Sequence, residues 1–170
     1  MSPGLRRCPH GHPDPPTLLV RPAGPADRSA LTGIDTVAAA GDPARRAAVR
    51  RWCEQGSAVL AEDAPGPLGY RVLEHTFFGQ GFVTPLMVAP GERGRGIGAR
   101  LLHALEAACT TPKLFTSTNV SNQPMQRLLH RAGWQAAGIL HGLDEADPEL
   151  FHLRPPQRPA PGTGPTHPAG

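Results

Sequence analysis

Long apolar runs, aromatic residues and lysine are scarce in this chain, and its three cysteines are an odd number at wide spacing. No apolar run approaches the roughly 20 residues of a membrane-spanning helix. No apolar segment follows Arg6 and Arg7, as a secretory signal would require. The cysteines fit no disulfide framework, which favours reduced thiols. We therefore expect a cytoplasmic protein with no membrane partner.

The positive charge is almost entirely arginine, because Lys113 is the only lysine among 17 basic residues. These arginines are interspersed with acidic residues, the formal net charge is only +3, and aromatic residues make up 5% of the chain. A nucleic-acid-binding surface usually clusters its cations and interleaves aromatic side chains that stack on bases. We therefore expect no nucleic-acid partner.

Proline and glycine, 21 and 20 residues, are abundant, and much of the proline lies at the two ends of the chain. We predict disordered tails over residues 1–16 and 155–170, and one folded domain over residues 17–154. Cys8-Pro9-His10-Gly11-His12 contains metal-binding residue types, but no second ligand pair follows at the spacing of a structural zinc site. We therefore predict no metal.

The central part of the chain alternates between strand and helix patterns. Pro85 falls inside one predicted strand, and proline cannot donate to a sheet ladder, so we predict a bulge or a splay point there. Strands are predicted at residues 17–21, 57–62, 68–77, 82–88, 113–118, 134–140 and 149–153, and helices at residues 27–40, 43–55, 97–109 and 124–132.

A glycine-rich turn, Arg93-Gly94-Arg95-Gly96-Ile97-Gly98, joins a predicted strand to a predicted helix. This order places free backbone N–H groups and the positive end of a helix dipole around one spot, which favours a phosphate. A Walker loop needs Lys-Ser/Thr after its last glycine, and a dinucleotide fingerprint needs G-x-G-x-x-G with a later acidic residue. The turn matches neither pattern.

The turn resembles the R/Q-x-x-G-x-G/A signature of the GNAT superfamily of N-acetyltransferases. The segment from Asn122 to Trp134 is similar to that family's N-x-x-A-x-x-L-Y-x-x-x-G-F segment, and the predicted element order agrees. Over residues 17–153 the resemblance implies an α/β fold. Its central sheet is mixed, mostly antiparallel and splayed at the cofactor cleft, with about four flanking helices.

The resemblance also implies acetyl-CoA as the co-substrate and a set of residues that bind it. Met87 and Val88 are expected beside the pantetheine and the thioester carbonyl, and Asn122 is expected to contact the cofactor from the opposite side of the cleft. The pyrophosphate is expected at the turn, on Arg93, Gly94, Arg95, Gly96, Ile97 and Gly98.

Two positions depart from the family pattern. The tyrosine that often protonates the leaving thiolate falls at Leu129, and the glutamate common on the preceding strand falls at about Thr84. We expect Asn119 to hold the thiolate or a water, with Ser117 as a second donor, and we choose Glu145 as the catalytic carboxylate. The other proton acceptors that we consider are Glu74, His75, His141 and Asp144.

The acidic segment from Asp144 to Glu149 is expected to line the acceptor site, where its carboxylates would attract a cationic amine. The sequence thus predicts an N-acetyltransferase that moves an acetyl group directly from acetyl-CoA to a primary amine of a small molecule or protein. A non-catalytic acyl-CoA-binding or sensor protein and an antibiotic-modifying acetyltransferase stay open as alternatives. So does the choice between monomer and homodimer.

Overall fold

The computed structural model describes residues 18–155, which form one sheet of seven strands with helices on both faces. The strands are β1 Leu19–Pro22, β2 Ala58–Asp63, β3 Gly66–Phe77, β4 Gln80–Val88, β5 Leu114–Asn119, β6 Gln135–Leu140 and β7 Glu149–Arg154. The helices are α1 Arg28–Ile34, α2 Thr36–Ala39, α3 Pro43–Gln55, α4 Ile97–Ala108 and α5 Gln123–Arg131.

The strand order is β1-β2-β3-β4-β5-β7-β6, and only the β4–β5 pair is parallel. Helices α1 to α3 pack with Trp52 and Tyr70 on one face of the sheet, which we call the acceptor face. Helices α4 and α5 pack on the opposite face around Leu102, Leu105 and Leu129. The predicted α/β fold with a mixed, mostly antiparallel sheet is therefore confirmed. None of the described helices is long and apolar enough to cross a membrane.

The predicted helix over residues 27–40 is wrong in one respect, because the chain forms two helices that meet at Asp35. One carboxylate oxygen of Asp35 accepts hydrogen bonds from the N–H groups of Val37 and Ala38, which caps α2. Local capping by a short acidic side chain therefore competes with continuation of the helix. The predicted tails and the Cys8–His12 segment lie outside the described residues, apart from Pro155.

Beyond Val83, β4 and β5 diverge. Their parallel pairing ends at Val83 and Thr116, so the edge of β4 from Thr84 onward faces no described strand. On the other side, Arg71 pairs with Leu86 but Leu73 pairs with Val83, so β4 holds one extra residue there. The predicted bulge or splay point at Pro85 is confirmed, since both features occur beside it.

Candidate active site

The turn between β4 and α4 presents a row of free backbone donors. The N–H groups of residues 93–99 form no hydrogen bond with any described residue, and the first bonded amide, Arg100 N–H, donates to the Gly96 carbonyl at 3.2 Å. Gly94 and Gly96 adopt left-handed angles, with φ of 85° and 77°. Consecutive free N–H groups at a helix start form an anion-binding site.

The two arginines of the turn have different surroundings. The Arg95 guanidinium is paired with Asp63 at 3.0 Å and with Glu92, and these partners raise the pKa of Arg95 above its ordinary value. Arg93 is exposed, and its Nε donates to the Val88 carbonyl at 3.4 Å. We infer that the Arg95 side chain fixes the turn to β2, whereas the Arg93 side chain is available to an anionic ligand.

Room for a ligand exists in front of the turn, because a Cβ added at Gly94 or Gly96 would meet no atom within 4 Å. Gly98 differs, since its Cβ would lie 3.0 Å from the Leu128 side chain. Gly98 thus allows close packing of α4 against α5. Met87 and Val88 lie just before the turn on the diverging part of β4. The unpaired edge of β4 therefore extends from the point where β4 and β5 part to the start of the turn.

Glu74 lies on the acceptor face, next to the point where β4 and β5 part. It pairs with Phe82, one residue before the last β4–β5 pair. Its Oε1 accepts a hydrogen bond from Trp52 Nε1 at 3.2 Å, and its Oε2 accepts one from Thr84 Oγ1 at 2.5 Å. Trp52 is 2% exposed, so its indole is a rigid donor. Glu74 on β3 therefore places a carboxylate beside Thr84, the position at which the family pattern has glutamate.

Trp52 is itself held in place by a charged group. The Arg45 guanidinium carbon lies 5.7 Å from the centre of the Trp52 ring, and Arg45 Nε pairs with Asp35 at 3.3 Å. Asp35 also accepts a hydrogen bond from the Tyr70 hydroxyl at 2.5 Å, and burial, followed by this bond, raises the pKa of Tyr70. The only tyrosine is therefore a structural group, and it is not available to protonate a thiolate.

The structure does not bring together the other predicted site residues, Asn119, Asn122 and Glu145. Asn119 Nδ2 donates to the Asp147 carbonyl at 3.2 Å, and Asn122 Oδ1 caps α5 by accepting from Met125 N–H at 3.3 Å. Glu145 is exposed in the β6–β7 connection. Its side chain forms no hydrogen bond or ion pair with a described residue, so the structure does not join it to Asn119.

Leu129, at the position of the family's usual tyrosine, is fully buried in the core cluster that also contains Leu102 and Leu105 of α4. It belongs to the core and faces no solvent. Ser117, in contrast, is half-buried on the acceptor face of β5 and forms no side-chain hydrogen bond with a described residue. Its hydroxyl is thus a free donor near the cleft.

Comparison with known proteins agrees with this geometry. The model of the acetyltransferase (GNAT) family matches residues 30–134, which is more than half of the chain. The chain belongs to the GNAT family of acetyltransferases. It is therefore an acyltransferase, and acetyl-CoA is its acetyl donor. A search of curated proteins gave no match.

Solved structures extend the comparison to the whole domain. A GNAT-family acetyltransferase of Bacillus cereus ATCC 10987 is 29% identical, with a TM-score of 0.77 over 84% of this chain and 99% of that chain. The yncA protein of Salmonella typhimurium, solved with its cofactor acetyl-CoA, is 20% identical, with a TM-score of 0.65 over 86% and 98% of the two chains.

A third similar structure contains an acceptor. It is the diaminobutyrate acetyltransferase EctA of Paenibacillus lautus, in complex with its substrate L-2,4-diaminobutyric acid and coenzyme A. It is 17% identical to this chain, with a TM-score of 0.67 over 83% of this chain and 96% of that chain. At this identity the likeness establishes the shared GNAT fold.

The residues around the turn fit acetyl-CoA. The free N–H groups of residues 93–99 and the open space at Gly94 and Gly96 suit a pyrophosphate. The unpaired edge of β4 beyond Val83 offers main-chain groups to an extended amide-containing chain such as pantetheine.

Proposed function

We propose that this enzyme transfers the acetyl group of acetyl-CoA directly to a primary amine. One observation carries the proposal, namely a carboxylate, Glu74, fixed at the point where β4 and β5 diverge, on the strand pair whose β4 edge leads to the glycine turn. An acceptor that enters on the acceptor face meets Glu74 there, while the donor occupies the gap between the strands.

Met87, Val88 and the turn from Arg93 to Gly98 bind the donor in this proposal. Main-chain N–H groups of the turn take the pyrophosphate, and the Arg93 side chain adds a positive charge. The edge of β4 at Met87 and Val88 contacts the pantetheine and polarises the thioester carbonyl, as an oxyanion hole does. Asn122, which caps α5, contributes from the opposite side of the cleft.

Glu74 is the general base. An amine attacks only in its neutral form, so a group must remove one proton from the ammonium ion. The two fixed hydrogen bonds from Trp52 and Thr84 hold the Glu74 carboxylate in one orientation, and a fixed geometry of the reacting groups itself lowers the barrier.

Acetyl-CoA supplies the acetyl group as a thioester, and transfer exchanges its C–S bond for a C–N bond. Two protons leave the nitrogen. Glu74 accepts the first from the ammonium ion, and the second ends on the released CoA thiol. Ser117 and Asn119 provide hydrogen-bond donors on the β5 side of the cleft, where they stabilise the negative charge of the sulfur.

Asp144 and Glu145 act at longer range. Both are exposed in the β6–β7 connection, and their charges favour the approach of a cationic amine. In this proposal Glu145 attracts the acceptor, and Glu74 has the proton-accepting role that was predicted for Glu145 from the sequence.

Release of CoA thiol over a panel of primary amines tests the proposal, with thiol release in the absence of amine as the baseline. We expect turnover that requires both acetyl-CoA and an amine. Acetyl-CoA binding without amine-dependent thiol release would contradict the proposal and favour a sensor protein. The panel should include aminoglycosides, so that an antibiotic-modifying activity is recognised directly.

A further inference from the structure

All five phenylalanines of the chain gather in one surface cluster. The Phe77 ring is central, with its centroid 5.1 Å from that of Phe78, 4.9 Å from Phe82, 5.3 Å from Phe115 and 5.8 Å from Phe151. We call these five residues the phenylalanine cluster. None of them is part of the buried core.

The three other aromatic residues, in contrast, are buried. Trp52, Tyr70 and Trp134 are 2%, 0% and 3% exposed. Large apolar side chains contribute most to stability when they are fully buried. A chain that leaves every phenylalanine at least partly accessible therefore forgoes stability there, which indicates that the phenylalanine cluster binds something.

The cluster lies on the acceptor face next to Glu74. Phe82 is the cross-strand neighbour of Glu74, and Phe115 is the neighbour of Phe82 on β5. Phe151 lies opposite Ser117. The buried core clusters of the described residues contain no phenylalanine.

Phe78 adds a second, independent observation. It is 88% exposed at the tip of the β3–β4 hairpin, and its φ of 52° is in the left-handed region. That region costs a bulky residue about 1 kcal/mol or more relative to glycine or asparagine. Neither burial nor turn preference therefore explains phenylalanine at this position, whereas contact with a ligand does.

We propose that the acceptor is a primary amine with a planar apolar group, its ammonium ion at Glu74 and its apolar group on the phenylalanine cluster. This inference rests on the proposed function. The Glu74 carboxylate and the faces of the rings both attract an ammonium ion, and the rings favour an aromatic substituent stacked or edge-on. An aliphatic diamine has the charge but lacks the apolar group.

The test compares 2-phenylethylamine with putrescine as acceptors. We expect kcat/KM to be about tenfold or more higher for 2-phenylethylamine, since a matched apolar group discriminates by this order. Phe82→Leu keeps an apolar side chain and should lower this preference about fivefold to tenfold. Phe78→Leu should lower the preference as well, but by a smaller factor, because Phe78 lies at the hairpin tip, farther along the chain from Phe82 and Glu74.

Three results would overturn the inference. The first is an equal or higher kcat/KM for putrescine. The second is an unchanged preference in the Phe82→Leu variant, with acetyl-CoA binding used to verify its fold. The third is a wild-type dimer that dissociates on Phe78→Asp substitution in sedimentation experiments, because a second copy would then cover the cluster.

Calorimetric titration of the CoA-loaded enzyme with 2-phenylethylamine separates this inference from the proposed function. Binding that weakens in the Phe82→Leu variant, without turnover of any amine, would support the binding site and contradict the proposed catalysis. Turnover of aliphatic amines without binding of 2-phenylethylamine would support the proposed catalysis and contradict the inferred acceptor class.

Discussion

Replacement of Glu74 by glutamine removes the proposed base and leaves the packing almost unchanged. The Gln side chain has the same length, its Oε1 can still accept from Trp52, and its amide can donate to Thr84 Oγ1. The free energy of unfolding should therefore change by less than about 1 kcal/mol.

The effect on catalysis should be far larger. A positioned general base contributes about 100-fold to 10,000-fold, so Glu74→Gln should lower kcat/KM for the amine by about 100-fold or more at neutral pH. The KM for acetyl-CoA should stay the same. The deficit should shrink at high pH, because the amine then loses its proton without help from the enzyme.

Initial rates of CoA-thiol release between pH 7 and pH 10 measure this effect, and exposed Glu54 on α3 provides the matched control Glu54→Gln. A Glu74→Gln enzyme within about threefold of wild type at neutral pH would refute the assignment of the base. A large deficit that is independent of pH would also refute it, since such a deficit indicates a structural role.

Three further predictions concern packing, pH and substrate attraction. Gly69→Ala places a Cβ 2.7 Å from the Met87 carbonyl oxygen and should lower the melting temperature by about 3 to 10 °C; Gly138→Ala, which meets nothing within 4 Å, should not. Burial lowers the pKa of His152 below its ordinary 6.5, so on acidification the unfolded chain binds a proton at a higher pH than the native protein does. The free energy of unfolding should therefore fall as the pH drops below 6.5. In urea titrations, the free energy of unfolding of the His152→Gln variant should depend less on pH than that of the wild type. An equally steep fall in the variant would contradict the role of His152. Asp144→Asn with Glu145→Gln should raise the KM for cationic amines at low salt, and an unchanged KM would exclude the attraction.

The glycine turn and the divergence of the strands could be predicted because their causes are local. Gly94 and Gly96 permit left-handed backbone angles, and Pro85 interrupts a ladder wherever it falls in a strand. The strands, α3 and α5 also followed from short-range patterns of apolar residues, glycine and capping residues. The sequence therefore indicated the turn and the strand edge to which our proposal assigns the donor.

Glu74, the base in our proposal, could not be singled out from the sequence because its position depends on register. It meets Thr84 only through the pairing of β3 with β4, which contains two irregularities, one between Arg71 and Leu73 and one between Glu74 and Phe77. Each extra residue changes which side chains lie opposite one another. The assembly of the phenylalanine cluster from four strands and a hairpin tip is non-local for the same reason.

Thermal unfolding with and without acetyl-CoA tests the central claim, that the turn between β4 and α4 holds the acetyl donor, most directly. At 100 times its dissociation constant the ligand should stabilise the native enzyme by about 2.7 kcal/mol, whereas ATP and NADH at equal concentration should not. Gly96→Val, which forces a β-branched residue towards φ 77°, should abolish the shift, and Gly91→Ala, at a position with no positive φ, should preserve it. No shift with acetyl-CoA, or an undiminished shift in the Gly96→Val enzyme, would contradict the account.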